Sequence, residues 1–253
     1  MVKPLVTIVT ATTGNPLLSR CVTSVRQQTY SNVNHYVFID GPDRWDAASA
    51  ILANTLFPNG KTEFVQTLPY PVGMDRWNGH RMYGAACYLC EGDFIMFLDE
   101  DNTIDPTHVE DCLKVIEAGN QWAFSFRKIV DKEGNFICND DCESLGKWPS
   151  ILDERDYFID VNNFFLPKML AIQTSPIWYR KAREPGVTEV DRALTHVLRQ
   201  IAPTYDSTYK YTVNYMIGAT ERSPQGSFFE RGNADMLNRH NGNLPWKKGV
   251  NNG

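Results

Sequence analysis

Three acids stand together at Asp99-Glu100-Asp101, directly after the apolar run Phe94-Ile95-Met96-Phe97-Leu98. Carboxylates crowded this closely repel one another, so the cluster calls for a positive partner. Hard divalent cations such as Mg2+ or Mn2+ prefer carboxylate oxygens and often complete their shell with substrate phosphates. The chemistry open to this triplet is therefore metal binding directed at phosphate. The competing reading is a solvated acidic turn that caps the next helix. A further acid, Asp40, ends a second apolar run, His35-Tyr36-Val37-Phe38-Ile39. It could accept a hydrogen bond from a ligand, or simply open the turn at Gly41-Pro42.

Positioning such acids is the work of the elements before them. A short, continuous apolar run bounded by polar residues suits a strand buried on both faces. In α/β sheets, ligands collect beyond the carboxyl ends of such strands. The pattern predicts strands over 5–10, 35–40, 63–68 and 94–98, with helices over 16–28, from 46, over 81–90 and from 106. This βαβαβαβα order predicts a parallel sheet with helices on both faces and right-handed crossovers. After residue 120 the style changes to a hairpin (122–130 and 136–138) and a polar loop lasting to about Asp160. Short segments follow near 169–174 and 177–180. A helix over 190–201, a strand over 209–217 and a polar tail or flap from 223 complete the chain. The expected fold class is α/β in a single domain, 1–253, with a nucleotide-type half to about 120 and a mixed half over 121–222.

With 253 residues the chain can build a substantial core, and its net charge of −5 argues against a general nucleic-acid surface. No apolar run approaches membrane-spanning length, and the first residues lack a signal-peptide layout. A cytoplasmic protein, free or peripherally membrane-associated, is the expectation. Cys87-x-x-Cys90 and Cys138-x-x-x-Cys142 could be read as zinc ligands, but the spacing is permissive, and cysteines beside Ala85, Ala86 and Leu89 suit a helix core.

With these elements laid out, four segments resemble family-2 glycosyltransferases of the GT-A fold. Residues 6–33 read strand, short loop and a helix ending in Gln28-Thr29-Tyr30. Residues 37–43 carry an acid-Gly strand end. Residues 91–110, EGDFIMFLDEDNTIDPTHVE, are similar to the family's strand, D-x-D and Asp-Pro helix start. Residues 172–198 look like its acceptor-side strand followed by an acid-led helix. The resemblance implies a GT-A-type, mostly parallel sheet and transfer of a sugar from a UDP- or GDP-type donor. It implies Mn2+ or Mg2+ as cofactor and a glycan, lipid-linked or protein-linked acceptor.

It also distributes roles. Asp101 is the expected direct metal ligand, with Asp99 supporting the metal or ribose, Glu100 turned away, and His240 completing the shell. Thr10, Ala11, Asp40, Arg81 and Asp99 are the expected donor contacts. Asp191 is the expected general base of an inverting displacement, with Glu189 as understudy. Trp77, Trp148 and Trp178 could stack on sugar rings or serve as core. The first loop, Ala11-Thr12-Thr13-Gly14, lacks the aromatic that the family uses to cradle the base, which leaves the base open. Asp99-x-Asp101-x-Thr103 also spells the first motif of haloacid-dehalogenase-like phosphatases, with Asp99 as nucleophile. That motif normally ends a domain's first strand, whereas here three strand-helix units precede it. A nucleotidyltransferase and a non-catalytic glycan- or nucleotide-binding module are the remaining alternatives.

Overall fold

The computed structural model describes residues 2–54, 62–181, 189–218 and 224–247. Strand β1 (Val6–Thr12) is buried at every position but Ala11, because it has a strand on each side and a helical layer on each face. It pairs in parallel with β2 (Val33–Ile39) and with β4 (Phe94–Phe97), and β3 (Thr62–Thr67) adds in parallel beyond β2. The chain thus steps outward from β1 to β3 and returns on the other flank at β4. Strand order reverses between β1 and β4, which opens a crevice at their carboxyl ends.

Side chains alternate across this sheet as a period of two requires. Val9, Ile95 and Phe97 pack with α3 (His80–Leu89). Val6, Ile8, Met96 and Leu98 pack with α1 (Leu18–Arg26) and α4 (His108–Glu117). Helix α2 (Trp45–Ala53) closes a smaller cluster against α1, Val37 and Ile39.

The second half is mixed. Its strands are β5 (Thr103–Ile104), β6 (Trp122–Val130), β7 (Phe136–Asn139), β8 (Phe164–Pro167) and β9 (Tyr205–Met216). The sheet order is β3-β2-β1-β4-β8-β6-β9-β5, with β7 on β6. Strand β8 joins the halves by pairing antiparallel with both β4 and β6. Helices α5 (Lys168–Thr174), α6 (Glu189–Ile201) and α7 (Gly226–Arg239) complete the fold.

Several expectations change. Strands β5 and β8 carry too few residues to show a period. Residues 172–181, which the resemblance presents as an acceptor-side strand, hold the end of α5 and a 3-10 turn, Ser175–Trp178, with Pro176 in its first positions. The stretch read as a tail or flap is helical over Gly226–Arg239, and Phe229, Met236 and Trp246 are buried. Cys87 and Cys90 are core thiols pushed up to about 12, chiefly by burial. All six cysteines are free of disulfides, and among the described residues no three His, Cys, Asp or Glu side chains are gathered around them.

One buried cation organises the second half. Arg127, on β6, is 1% exposed. Its Nε donates to Asp140 (2.8 Å), Nη1 to Asp160 (2.6 Å) and Nη2 to Glu143 (2.6 Å), and its plane lies 4.3 Å from the Tyr215 ring centre. Asp140 also accepts the backbone N–H groups of Cys142, Glu143 and Ser144. Removing one member of such a buried network strands the others as unpaired charges, at a cost of about 3–5 kcal/mol. Arg127→Met should therefore lower the urea-unfolding free energy by about that amount. A loss below about 1 kcal/mol, the scale of a surface pair, would show that the network is dispensable.

Candidate active site

A cleft of about 540 Å3 lies over the carboxyl ends of β1, β2 and β4. Ala11, Thr12 and Thr13 form one edge, Asp40, Gly73 and residues 78–80 another, and Asp99, Glu100 and Asp101 the floor. Asp160, Trp178, Asp191 and Tyr215 face them from the second half. A larger hollow of about 720 Å3 runs along α1 and β5, but none of the acids singled out above lines it.

The three consecutive acids do three different jobs. Asp99 is braced: its Oδ1 accepts from the Tyr83 hydroxyl (2.6 Å), its Oδ2 from Asn162 Nδ2 (3.1 Å), and its backbone N–H donates to Asn162 Oδ1 (2.7 Å). Glu100 is not turned away. It accepts from Thr12 Oγ1 (2.5 Å), Thr13 N (3.1 Å), Thr13 Oγ1 (2.8 Å) and Asn15 N (3.1 Å), and so ties β4 to the loop after β1. Asp101 keeps its capacity, since among the described residues its carboxylate is met only by its own backbone N–H.

Asp40 is 5% exposed. Its Oδ1 accepts the Val72 N–H (2.6 Å) and its Oδ2 the Gly73 N–H (3.1 Å). Gly73 is required for this approach, because a Cβ there would lie 2.8 Å from Asp40 Oδ2 and 2.6 Å from Asn78 O. Gly41 follows at φ +104°, where a Cβ would also meet the Pro71 ring at 2.9 Å. The loop that Asp40 holds contains three non-glycine residues at positive φ: Asp75, Arg76 and Asn78. Each such conformation costs on the order of 1 kcal/mol or more and persists only where the surroundings impose it.

Asp191 sits in the first turn of α6 and is 6% exposed. Burial, then the charges of Asp160 and Asp99, hold its carboxyl well above the usual range, against a partly offsetting Val161 N–H. Burial also raises Asp99 to about 6 and, with help from Asp99 and Glu100, Asp101 to about 7. Asp160 is the acid that sequence reasoning missed. It begins the 3-10 turn Val161–Asn163, accepts from Asn162 N (3.0 Å), and meets Arg127 on its other oxygen. The sequence signal was only the string Asp160-Val161-Asn162-Asn163 at the end of a polar stretch.

Other expected contacts fall elsewhere. Thr10 is fully buried under the sheet, bonded to His35 Nε2 (2.9 Å), while its neighbour Ala11 does line the cleft. The Arg81 guanidinium donates to Val72 O and lies 4.5 Å from the Trp77 ring centre, so it braces the loop that Asp40 holds. His240 follows α7 and packs edge-on against Trp246, with ring centres 5.3 Å apart, away from the lining of the cleft. The side chain of Glu189 lies outside the described residues. Of the three expected tryptophans, Trp148 packs on Phe126 and Trp246, Trp178 is 1% exposed and lines the cleft, and Trp77 pairs with the exposed Tyr179 at 5.0 Å.

The donor set fits a hard divalent cation. It is built of carboxylate oxygens, and burial, followed by the charges of neighbouring acids, raises Asp99 and Asp101. Among the described residues, no group of three or more His, Cys, Asp or Glu side chains is gathered as a ready ligand shell. A cation here would therefore complete its shell with ligand or water oxygens.

A strand-order reversal carrying acids at its mouth, joined through an antiparallel strand to an acid-headed helix, defines a GT-A-type sugar-transfer fold. The chain matches glycosyl transferase family 2 over residues 6–173, and it belongs to that family. Its structure resembles that of S. aureus TarS residues 1–349 in complex with UDP-GlcNAc, with a TM-score of 0.62 and 15% identity over 93% of this chain and 72% of that one. The UDP complex of the same protein gives 0.59 at 15% identity, covering 93% and 71%. Longer TarS gives 0.58 at 14% identity over 93% of this chain and 43% of that one. At these identities the likeness defines the fold. None of the curated proteins compared with the chain matches it. No helix among the described residues is long and apolar enough to cross a membrane.

The raised acids give a pH test. Asp101, at about 7, lies above its unfolded value near 3.9, so the stability it confers is full below about pH 4 and is lost as pH rises through 7. Asp101→Asn should then melt higher than the parent at pH 8 without added metal. A gain of roughly 2–4 °C corresponds to about 1 kcal/mol in a chain of this size. The gap should close near pH 4, and Mn2+ should narrow it at pH 8 by stabilising only the parent. A lower melting temperature for Asp101→Asn at pH 8 without metal would mean the carboxylate is already compensated.

Proposed function

We propose that this glycosyltransferase moves a sugar from a nucleoside-diphosphate-sugar donor to an acceptor hydroxyl, inverting the anomeric centre by direct displacement. The observation that carries the reading is the placement of Asp191. Its buried carboxyl faces the same cleft as Asp99 and Asp101, but from the opposite half of the fold. The likeness to a protein solved with UDP-GlcNAc and with UDP supports a donor of the uridine diphosphate type.

In this reading the nucleoside lies along residues 11–13 and Asp40, and the diphosphate lies over Asp101. A bound Mg2+ or Mn2+ would offset the negative charge that grows on the leaving diphosphate. Asp101 would hold that ion, and Asp99, fixed by Tyr83 and Asn162, would orient the turn or the ribose. The acceptor oxygen attacks the anomeric carbon as the bond to the diphosphate breaks, and Asp191 takes the hydroxyl proton. Burial suits this task, because a carboxylate with a raised pKa is a stronger base once ionised. Asp99 does not suit the phosphatase role, since both of its oxygens are already engaged.

Two experiments test the proposal. Mn2+ should raise affinity for UDP or GDP, and Asp101→Ala should remove that metal dependence while the protein stays folded. Unchanged metal-dependent binding in the variant would sink the ligand assignment. Asp191→Asn should bind donor within a few-fold of the parent but lose turnover by about 10^2–10^4, the usual contribution of a positioned base. Normal turnover would move the base elsewhere. Absence of nucleoside diphosphate release from the parent, with binding intact, would favour a non-catalytic module.

A further inference from the structure

The middle acid of the triplet makes more polar contacts than either neighbour, and all of them run to one loop. Glu100 accepts from two backbone N–H groups, Thr13 and Asn15, and from two hydroxyls, Thr12 and Thr13. Its targets lie at and just beyond the end of the neighbouring strand β1, across the crevice where strand order reverses. The tie extends further, because Asn15 Oδ1 accepts the Leu17 N–H (3.0 Å) at the entrance to α1, and Thr12 Oγ1 accepts the Gly14 N–H (2.9 Å). Thr12, Thr13 and Asn15 all line the cleft. Pro16 follows at the entrance to α1, and within residues 12–15 the Glu100 carboxylate supplies the ties that hold the segment to β4.

We propose that Glu100 is a positioning residue of the donor site, holding residues 12–15 as the wall against which the nucleoside packs. The inference rests on the nucleotide-sugar reading above and adds a division within the triplet. Asp101 serves the diphosphate end, and Glu100 shapes the nucleoside end from the next position in sequence. A ligand then has two separable anchors, and loss of Glu100 weakens only one.

The separation is measurable. Glu100→Gln keeps the shape but replaces charge-assisted bonds by neutral ones, which are about half as strong. The expected result is a UDP affinity about tenfold weaker in the presence of Mn2+, a difference of about 1.4 kcal/mol. Affinity for pyrophosphate with Mn2+, which lacks the nucleoside, should stay within twofold. With sugar donor, the rise in KM should exceed any change in kcat. Thr13→Val, which removes one hydroxyl donor to Glu100, should weaken UDP in the same direction. The double variant should fall short of the sum, as coupled partners do.

Several results would overturn the proposal. Equal losses for UDP and pyrophosphate would make Glu100 part of the metal or phosphate site. A lower unfolding midpoint with UDP affinity intact would make its role structural only. Additive effects of the two substitutions would break the link to the loop. If the parent protein itself binds no nucleoside diphosphate, the donor reading falls and this inference falls with it. UDP binding by the parent that is untouched in Glu100→Gln removes this inference alone.

Discussion

The structure depends on how one guanidinium is shared among buried carboxylates. Arg127 is enclosed by Asp140, Glu143 and Asp160 and by the rings of Tyr215, Phe158 and Phe229. Three acids around one cation leave excess negative charge, and Arg192 relieves part of it through Glu143 and Asp156. A planar fork with five donors reaches three acceptors spread around its edge, whereas a lysine presents its three donors from a single point. Of the three acids, Asp160 also opens onto the cleft. The internal ion cluster of the second half therefore supplies one wall of the site, and the wall inherits its rigidity.

The acids of the cleft differ by what each has already bonded. Asp40 and Glu100 are used on backbone and hydroxyl donors, and each fixes a loop. Asp99 is held by a phenol and an amide, and Asp160 by Arg127. Among the described residues, Asp101 and Asp191 are met by backbone N–H groups and by no such side-chain donor, and their carboxyls are held above the usual range. Bonded carboxylates are architecture, and unbonded buried ones carry an electrostatic cost that a substrate or cation can relieve. That contrast is what the proposed roles of Asp101 and Asp191 rest on, beside their places in a motif.

Legibility in the sequence followed the range of the interaction. The runs at 6–12 and 94–97 announced central strands because burial on both faces leaves no room for polar residues. Asp40 and the triplet were legible because acids directly after such runs must fall at strand ends. Glu100 was misread as turned away because its partners are more than 80 positions distant, and spacing carries no sign of them. Asp160 was missed for the same reason, its guanidinium partner being 33 residues away. Thr10 and Arg81 sat within the right segments. A strand alternates faces, however, so Thr10 points under the sheet while Ala11 lines the cleft. Arg81 found a nearer acceptor at Val72. His240 was drawn from a polar string that proved to be the end of a packed helix.

The division at about residue 120 describes topology but not construction. The turn that presents Asp101 belongs to the first half, yet residues of the second half shape it. Asn162 binds the backbone and carboxylate of Asp99, and Asn102 accepts the Met216 N–H (2.9 Å). Strand β8 supplies the hydrogen bonds on the free edge of β4, so the acid-bearing strand would be an open edge without it. The nucleotide-type half alone would therefore keep the sequence of its acidic triplet and lose its geometry. The two walls of the cleft are built as one unit around β4, which is why Asp191 on α6 can be held facing Asp99 and Asp101 at the end of a strand nearly a hundred residues earlier.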